Sequence, residues 1–317
     1  MVRHPSRAAL LGLSGVLLLL GGAGCRPATS GPASGAAPSV RSEAPWDLVY
    51  ERTIGGNQDL YVSPAAGGVE RRLTDDPATD GLPRWTRDGQ GVLFTSNRSG
   101  NWQLWEVPAS GGPARRVRTN AFREWQADWS PDGRRLAFLS NADGPECLWI
   151  MERDTGAGRV LVRHGADTIL GNPHWSPDGR RIVFSSNWRL PGHRSYIVDV
   201  ASGEQTRVSP LTSGGCEPHF SPDGRKVVYV RRQHLTRERS ALVEQDVAGG
   251  GERTLVEWPA LNYDPVYSPD GTEIAFASQI AGDWAIYRQR LADGKSWRVT
   301  FGAGPARYPD YRPVAGR

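Results

Sequence analysis

The sequence predicts an all-β chain, a six-bladed β-propeller of four-stranded antiparallel blades closed by pairing of the C-terminal strand into blade one. Three observations carry this. One phrase recurs every 44 to 47 residues, each full copy holds a tight-turn signature, and the chain begins in mid-repeat.

The phrase reads Pro83-Arg-Trp-Thr-Arg-Asp-Gly89, Ala127-Asp-Trp-Ser-Pro-Asp-Gly133, Pro173-His-Trp-Ser-Pro-Asp-Gly179, Pro218-His-Phe-Ser-Pro-Asp-Gly224 and Pro265-Val-Tyr-Ser-Pro-Asp-Gly271. A sixth copy, Pro309-Asp-Tyr-Arg-Pro313, lacks the Asp-Gly. The aromatics Trp85, Trp129, Trp175, Phe220, Tyr267 and Tyr311 lie 44, 46, 45, 47 and 44 residues apart. A period of roughly 40–45 residues means propeller blades or helical repeats.

The chemistry inside one period selects the propeller. Ser-Pro-Asp-Gly is a hairpin turn: Pro presets φ, Asp tolerates the third position, and Gly takes the left-handed conformation. Short β-rich runs follow, such as 181–186 and 195–200, then a second turn such as Ser202-Gly203 and a last short run such as 115–119. Helical repeats need longer segments free of such turns. The recurrent aromatics are expected in the core between blades, and the turn aspartates are expected to be structural.

Closure follows from the start of the chain. Residues 46–76 supply strands two, three and four of a blade, as Leu48-Val-Tyr50, Asp59-Leu-Tyr-Val62 and Arg71-Arg-Leu-Thr74. The first strand of that blade is expected from 308–312, which removes an exposed sheet edge.

The repeated Trp-Ser-Pro-Asp-Gly phrase, the Ile-Val-Phe strand at 182–184, Ser96-Asn97, Ser140-Asn141, Ser186-Asn187 and the Asp-Leu-Tyr-Val strand resemble the repeats of TolB-like propellers. The resemblance covers 46–317 and implies the fold more strongly than a function. TolB itself has an α/β domain ahead of its propeller, where this chain has a short linker. The resemblance therefore does not imply a place in a Tol-Pal system.

The amino terminus reads as an address. Arg3 and Arg7, an apolar run from Ala8 to Leu20 and a small-residue site before Cys25 form a signal peptide at 1–24. Ala23-Gly24-Cys25 resembles a lipobox, although Gly22 stands where Leu is usual, and implies a diacylated Cys25. Residues 25–45, rich in Pro, Ala, Ser and Gly, are expected to be a tether, and 46–317 the propeller. The expected location is the bacterial cell envelope, lipid-anchored, with the outer membrane favoured by Arg26 after the cysteine. In that oxidising compartment Cys147 and Cys216 could pair. They fall in different repeats, so they are expected to stay apart.

Thirty-eight basic against 34 acidic side chains leave a net charge of +4, interleaved along the chain, so no nucleic-acid partner is expected. The basic run 231–239 reads as a solvated loop. No Gly-x-Ser-x-Gly elbow, His-Glu-x-x-His or phosphate loop is present, and no catalytic residue is assigned.

Equivalent positions in a ring of repeats face one axis. The residues before each aromatic, Asp310, Arg84, Asp128, His174, His219 and Val266, are expected to ring a channel. Asp128, His174 and His219 could hold a divalent metal; the other reading, and the expected one, is a solvated channel with a hydrogen-bonded Arg84–Asp pair and no cofactor. Glu124, Trp125, Gln126, Asn172, Glu217, Tyr263, Asp264, Arg307 and Tyr308 are placed in loops on one rim, as a partner-binding surface or as ordinary loop decoration. The expected function is a monomeric, anchored binding module for an envelope protein or peptide. The alternative is a metal-dependent enzyme on glycans or small molecules, because TolB-like propellers include oligogalacturonate lyases.

Overall fold

A computed structural model describes residues 47–188, 192–210, 214–232 and 238–314. The signal peptide, Cys25 and the linker lie outside the described residues. Among the described residues twenty-four strands form six four-stranded antiparallel sheets, and there is no helix. Blade one combines the C-terminal strand Ala306–Tyr311 with Leu48–Ile54, Asn57–Ser63 and Arg71–Arg72. In its seam Tyr311 lies opposite Leu48 and Asp310 opposite Val49. Blade one's innermost strand also packs against those of blades two and six, which closes the ring.

The other innermost strands are Asp80–Trp85, Glu124–Trp129, Leu170–Trp175, Gly214–Phe220 and Asn262–Tyr267, in blades two to six. Each ends on the recurrent aromatic, and that ring packs into the gap shared with the preceding blade. Trp85 sits with Val49, Leu60 and Val62 of blade one and Val92 and Phe94 of its own. Trp129, Trp175, Phe220 and Tyr267 repeat this at the next four gaps, and Tyr311 flanks the sixth. Trp85, Trp129, Trp175 and Phe220 are each 1% exposed, so the aromatic of each repeat is the mortar between blades. Burying one such side chain contributes about 1.5–3 kcal/mol.

The turns behave as their residues require. Gly89, Gly133, Gly179, Gly224 and Gly271 have φ between +64° and +72°, a region open to glycine. In each full Ser-Pro-Asp-Gly turn the serine hydroxyl donates to the aspartate, as Ser221 Oγ does to Asp223 Oδ1 at 2.6 Å. Cys147 and Cys216 are both buried and unlinked. Of the basic run, Arg231 and Arg232 end a strand rather than starting a loop: Arg231 pairs with Glu252, and Arg232 lies over the Tyr263 ring.

Candidate functional site

Every innermost strand carries one bulge. Its register slips two residues before the ring position, and the residue three before the aromatic turns left-handed: Leu82, Gln126, Asn172, Glu217, Asp264 and Tyr308, with φ from 49° to 56°. A proline follows five of the six. Proline lacks a donor and is tolerated in a strand at a bulge. The bulge takes the left-handed residue's N–H out of its own ladder, and in five of the six blades the preceding blade supplies an acceptor. Leu82 N–H donates to Glu51 Oε2 at 2.9 Å, Gln126 N–H to Thr95 Oγ1 at 3.3 Å and Asn172 N–H to Gln126 Oε1 at 2.9 Å. Asp264 N–H donates to Glu217 Oε2 at 2.8 Å, and Tyr308 N–H to Asp264 Oδ2 at 3.2 Å. These bonds form a first tier of straps around the axis.

A second tier lies at the ring positions. Trp85 N–H donates to Asp310 Oδ2 at 2.8 Å, Trp175 N–H to Asp128 Oδ2 at 2.9 Å and Phe220 N–H to His174 Nδ1 at 3.3 Å. Each acceptor again belongs to the preceding blade. Arg84 Nη1 stands 3.9 Å from Asp310 Oδ1, an ion pair too long to be the hydrogen bond expected there. Asp128 takes its direct cation from Arg87, 2.8 Å away. Arg87 occupies the place that proline holds in the full Ser-Pro-Asp-Gly turns. The sequence showed this as the one turn whose proline is replaced, a signal the ring reading did not use.

The nine rim residues sit within innermost strands, not in loops. Glu124 is fully buried and accepts from the Arg118 guanidinium. Gln126, Glu217 and Asp264 are acceptors of the first tier. Arg307 binds Asp264 through two bonds of 2.9 Å and lies over the rings of Tyr263, Trp284 and Tyr308. Trp125 lies under Arg123. Burial pushes Glu217 up to about 8 and Glu51 up to about 7, with the neighbouring Asp264 carboxylate opposing ionisation of both.

The axis is open at one end. Leu82, Arg84, Gln126, Asn172 and Tyr308 close around a void of about 10 Å³, room for about one water. Toward the Ser-Pro-Asp-Gly turns it widens into a funnel of about 1080 Å³. Asp128, His174, His219 and Asp310 lie in its floor; Pro131, Pro177, Pro222 and Pro269 line its wall, with Lys226, Glu244 and Arg253 to one side. Three turn glycines sit near the proline of the preceding blade's turn, Gly179 by Pro131, Gly224 by Pro177 and Gly271 by Pro222, whereas Gly89 lies against Arg312. The wall's charges are mutually satisfied. Buried Glu244 accepts from Lys226 Nζ at 2.8 Å, Arg253 Nε at 2.6 Å and Tyr267 OH at 3.0 Å. Burial favours its neutral form, but those donors prevail and hold it below the ordinary carboxylate value.

The residues do not fit a metal. Asp128 spends one oxygen on Arg87 and the other on Trp175 N–H, His174 spends Nδ1 on Phe220 N–H, and the two imidazoles stack face to face. Among the described residues no group of three His, Cys, Asp or Glu is disposed to hold a metal ion. Asp128, His174 and His219 thus come together as neighbours but not as a ligand set.

Six blades around a hub strapped at two levels, with a funnel on the turn face, define a six-bladed β-propeller. The TolB beta propeller domain family matches residues 28–185, 123–258 and 169–314, and the chain belongs to that family. Among solved structures it is similar to TolB from Acinetobacter baumannii, with a TM-score of 0.74 and 18% identity over 85% of this chain and 67% of that one. It is also similar to a protein assigned as TolB from Agrobacterium tumefaciens, with a TM-score of 0.64 and 19% identity over 85% of this chain and 99% of that one. An oligogalacturonate lyase from Vibrio parahaemolyticus gives a TM-score of 0.54 and 17% identity over 82% of this chain and 75% of that one. At these identities the likeness is one of fold. No curated protein sequence matches the chain.

Proposed function

We propose that this protein is a binding module that receives a segment of a partner protein or peptide in the turn-face funnel. One observation carries the reading: the funnel encloses about 1080 Å³, room for a peptide segment, and most of its polar lining is engaged within the fold, Asp128 with Trp175 and Arg87, Glu244 with Lys226 and Tyr267, and the turn serines with their own aspartates. Cavities of roughly 300–1,000 Å³ are typical of sites that enclose a ligand. The same engagement speaks against the metal-dependent enzyme alternative.

Cys25, diacylated and joined through a tether at 25–45, would fix the propeller to the envelope membrane, with the outer membrane favoured. The geometry gives this tether a consequence. Arg312 N–H donates to Asp47 O at 2.7 Å, and Pro313 and Val314 line the funnel, so the domain's first and last described residues meet at the funnel lip. The tether would leave from the partner-binding face.

Crosslinked capture from envelope extracts tests the reading. Thr272→Trp, at an exposed position on the funnel lip, is expected to reduce capture at least about tenfold, whereas Trp125→Ala on the opposite face leaves it unchanged. The reverse pattern would move the site to the rim and overturn the funnel.

A further inference from the structure

At the funnel floor His174 and His219 stack with ring centroids 3.5 Å apart and planes 30° apart. They are 8% and 9% exposed. One residue fixes both tautomers. Phe220 N–H donates to His174 Nδ1 at 3.3 Å, so that nitrogen carries the lone pair and the ring proton sits on Nε2. Phe220 C=O accepts from His219 Nδ1 at 2.9 Å, so that ring's proton is on Nδ1 and its Nε2 is bare. Asp128 Oδ2, 3.8 Å from His174 Nε2, reinforces the first assignment. Burial, then Arg87 and Arg84 beside His174, and His174 itself beside His219, hold both imidazoles well below their ordinary value, and both rings are neutral at pH 7. Among the described residues neither Nε2 has a hydrogen-bonding partner. The stack therefore offers the funnel one donor and one acceptor side by side.

We propose that this pair is a subsite for a neutral amide of the partner segment, an Asn or Gln carboxamide or a peptide bond. Its carbonyl accepts from His174 Nε2–H and its N–H donates to His219 Nε2. The proposal rests on the partner-binding reading of the funnel and names the group that enters deepest. A carboxylate brings acceptors alone and would meet the lone pair of His219. An ammonium brings donors alone and would meet the Nε2–H of His174. A hydroxyl must serve both nitrogens through one oxygen, at an angle pinched by the 3.5 Å ring separation, and is the weaker fit. An amide carries donor and acceptor on adjacent atoms, the complementarity by which Asn and Gln read the neighbouring N6 donor and N7 acceptor of adenine.

Proton–nitrogen correlation spectra of the imidazoles in the full chain test this directly. Near pH 7 His174 is expected as the Nε2–H tautomer and His219 as the Nδ1–H tautomer. Acetamide is expected to shift both Nε2 resonances together and saturably, whereas acetate, ethylene glycol and manganese chloride are not. His174→Asn keeps an oxygen to accept Phe220 N–H, and His219→Asn keeps an N–H to donate to Phe220 O. Each removes only the outward nitrogen and is expected to weaken acetamide binding about tenfold, the scale of one hydrogen bond. One shared tautomer, a response to acetate, glycol or manganese matching that to acetamide, or unchanged acetamide affinity in both variants would overturn the subsite. Partner capture blocked by Thr272→Trp but indifferent to both histidine variants would overturn it too, while leaving the funnel reading standing.

Discussion

Asp128 holds Trp175 twice across the gap between blades three and four: its Oδ2 accepts the tryptophan's backbone N–H at 2.9 Å, and its main-chain oxygen accepts the indole Nε1–H at 3.1 Å. The remaining carboxylate oxygen takes Arg87. Removing this side chain strands a buried N–H and unpairs a cation. Asp128→Ala is expected to cost about 2–4 kcal/mol in urea unfolding. Asp128→Asn, which keeps one acceptor, is expected to cost less than half as much. Equal losses would mean that the strap contributes little and that packing alone explains the effect.

Arg87 gives a sharper test, because consensus logic and the structure disagree about it. Proline at this position would complete the Ser-Pro-Asp-Gly pattern and reduce the freedom of the unfolded chain, a gain of about 0.4–1 kcal/mol where the backbone permits. It would also remove the bonds from Arg87 to Asp128 Oδ1 and Trp129 O. The loss outweighs the gain, since hydrogen bonds from a charged group are worth about 1.5–3 kcal/mol. Arg87→Pro is expected to lower the urea midpoint, and a raised midpoint would show that the arginine is a decoration.

The ring was legible because equivalent positions in a cyclic repeat must converge, so naming Asp310, Arg84, Asp128, His174 and His219 required only the period. The rim was misplaced for a local reason. Pro173, Pro218, Pro265 and Pro309 directly follow rim residues, and each occupies a bulge inside a strand, where a proline is tolerated, so those residues belong to strands and not to the loops expected for them. The open face was not legible at all. It depends on how Leu82, Arg84, Gln126, Asn172 and Tyr308 fill the axis, a matter of side-chain packing that periodicity does not encode.

Closure can be tested by removing it. Without residues 306–317 the edge of Leu48–Ile54 would lose its partner, and Trp85 N–H would lose Asp310. An unpaired, buried-type strand edge recruits other chains. The truncated protein is expected to aggregate, and adding the missing strand as a synthetic peptide is expected to restore a soluble monomer by size-exclusion chromatography. A soluble, folded monomer without the peptide would refute closure as the source of solubility.

The buried carboxylates set the pH dependence, and its sign follows from their direction. Glu51 and Glu217 rise from 4.5 to about 7 and about 8, and Asp310 from 3.8 to about 6, all chiefly through burial. Between the unfolded and folded values the native state holds more protons than the unfolded chain, so stability falls as pH rises through this window. The turn aspartates Asp88, Asp132 and Asp223 move the other way, held down first by the Thr86, Ser130 and Ser221 hydroxyls, and their contribution is lost as pH falls below the ordinary carboxylate range. Stability is therefore expected to peak near pH 4, just below where Glu51 and Glu217 ionise in the unfolded chain, and to fall by several kcal/mol toward pH 9, because each tenfold change in a group's proton affinity on folding is worth about 1.4 kcal/mol. Glu217→Gln keeps an acceptor for Asp264 N–H and can donate to the Asp264 carboxylate without needing a proton. It should raise stability at pH 9 by several kcal/mol, leave it nearly unchanged at pH 4, and flatten the slope between them. Urea unfolding of the two proteins across that range decides the matter, since parallel curves would mean that Glu217 is ionised in the fold throughout.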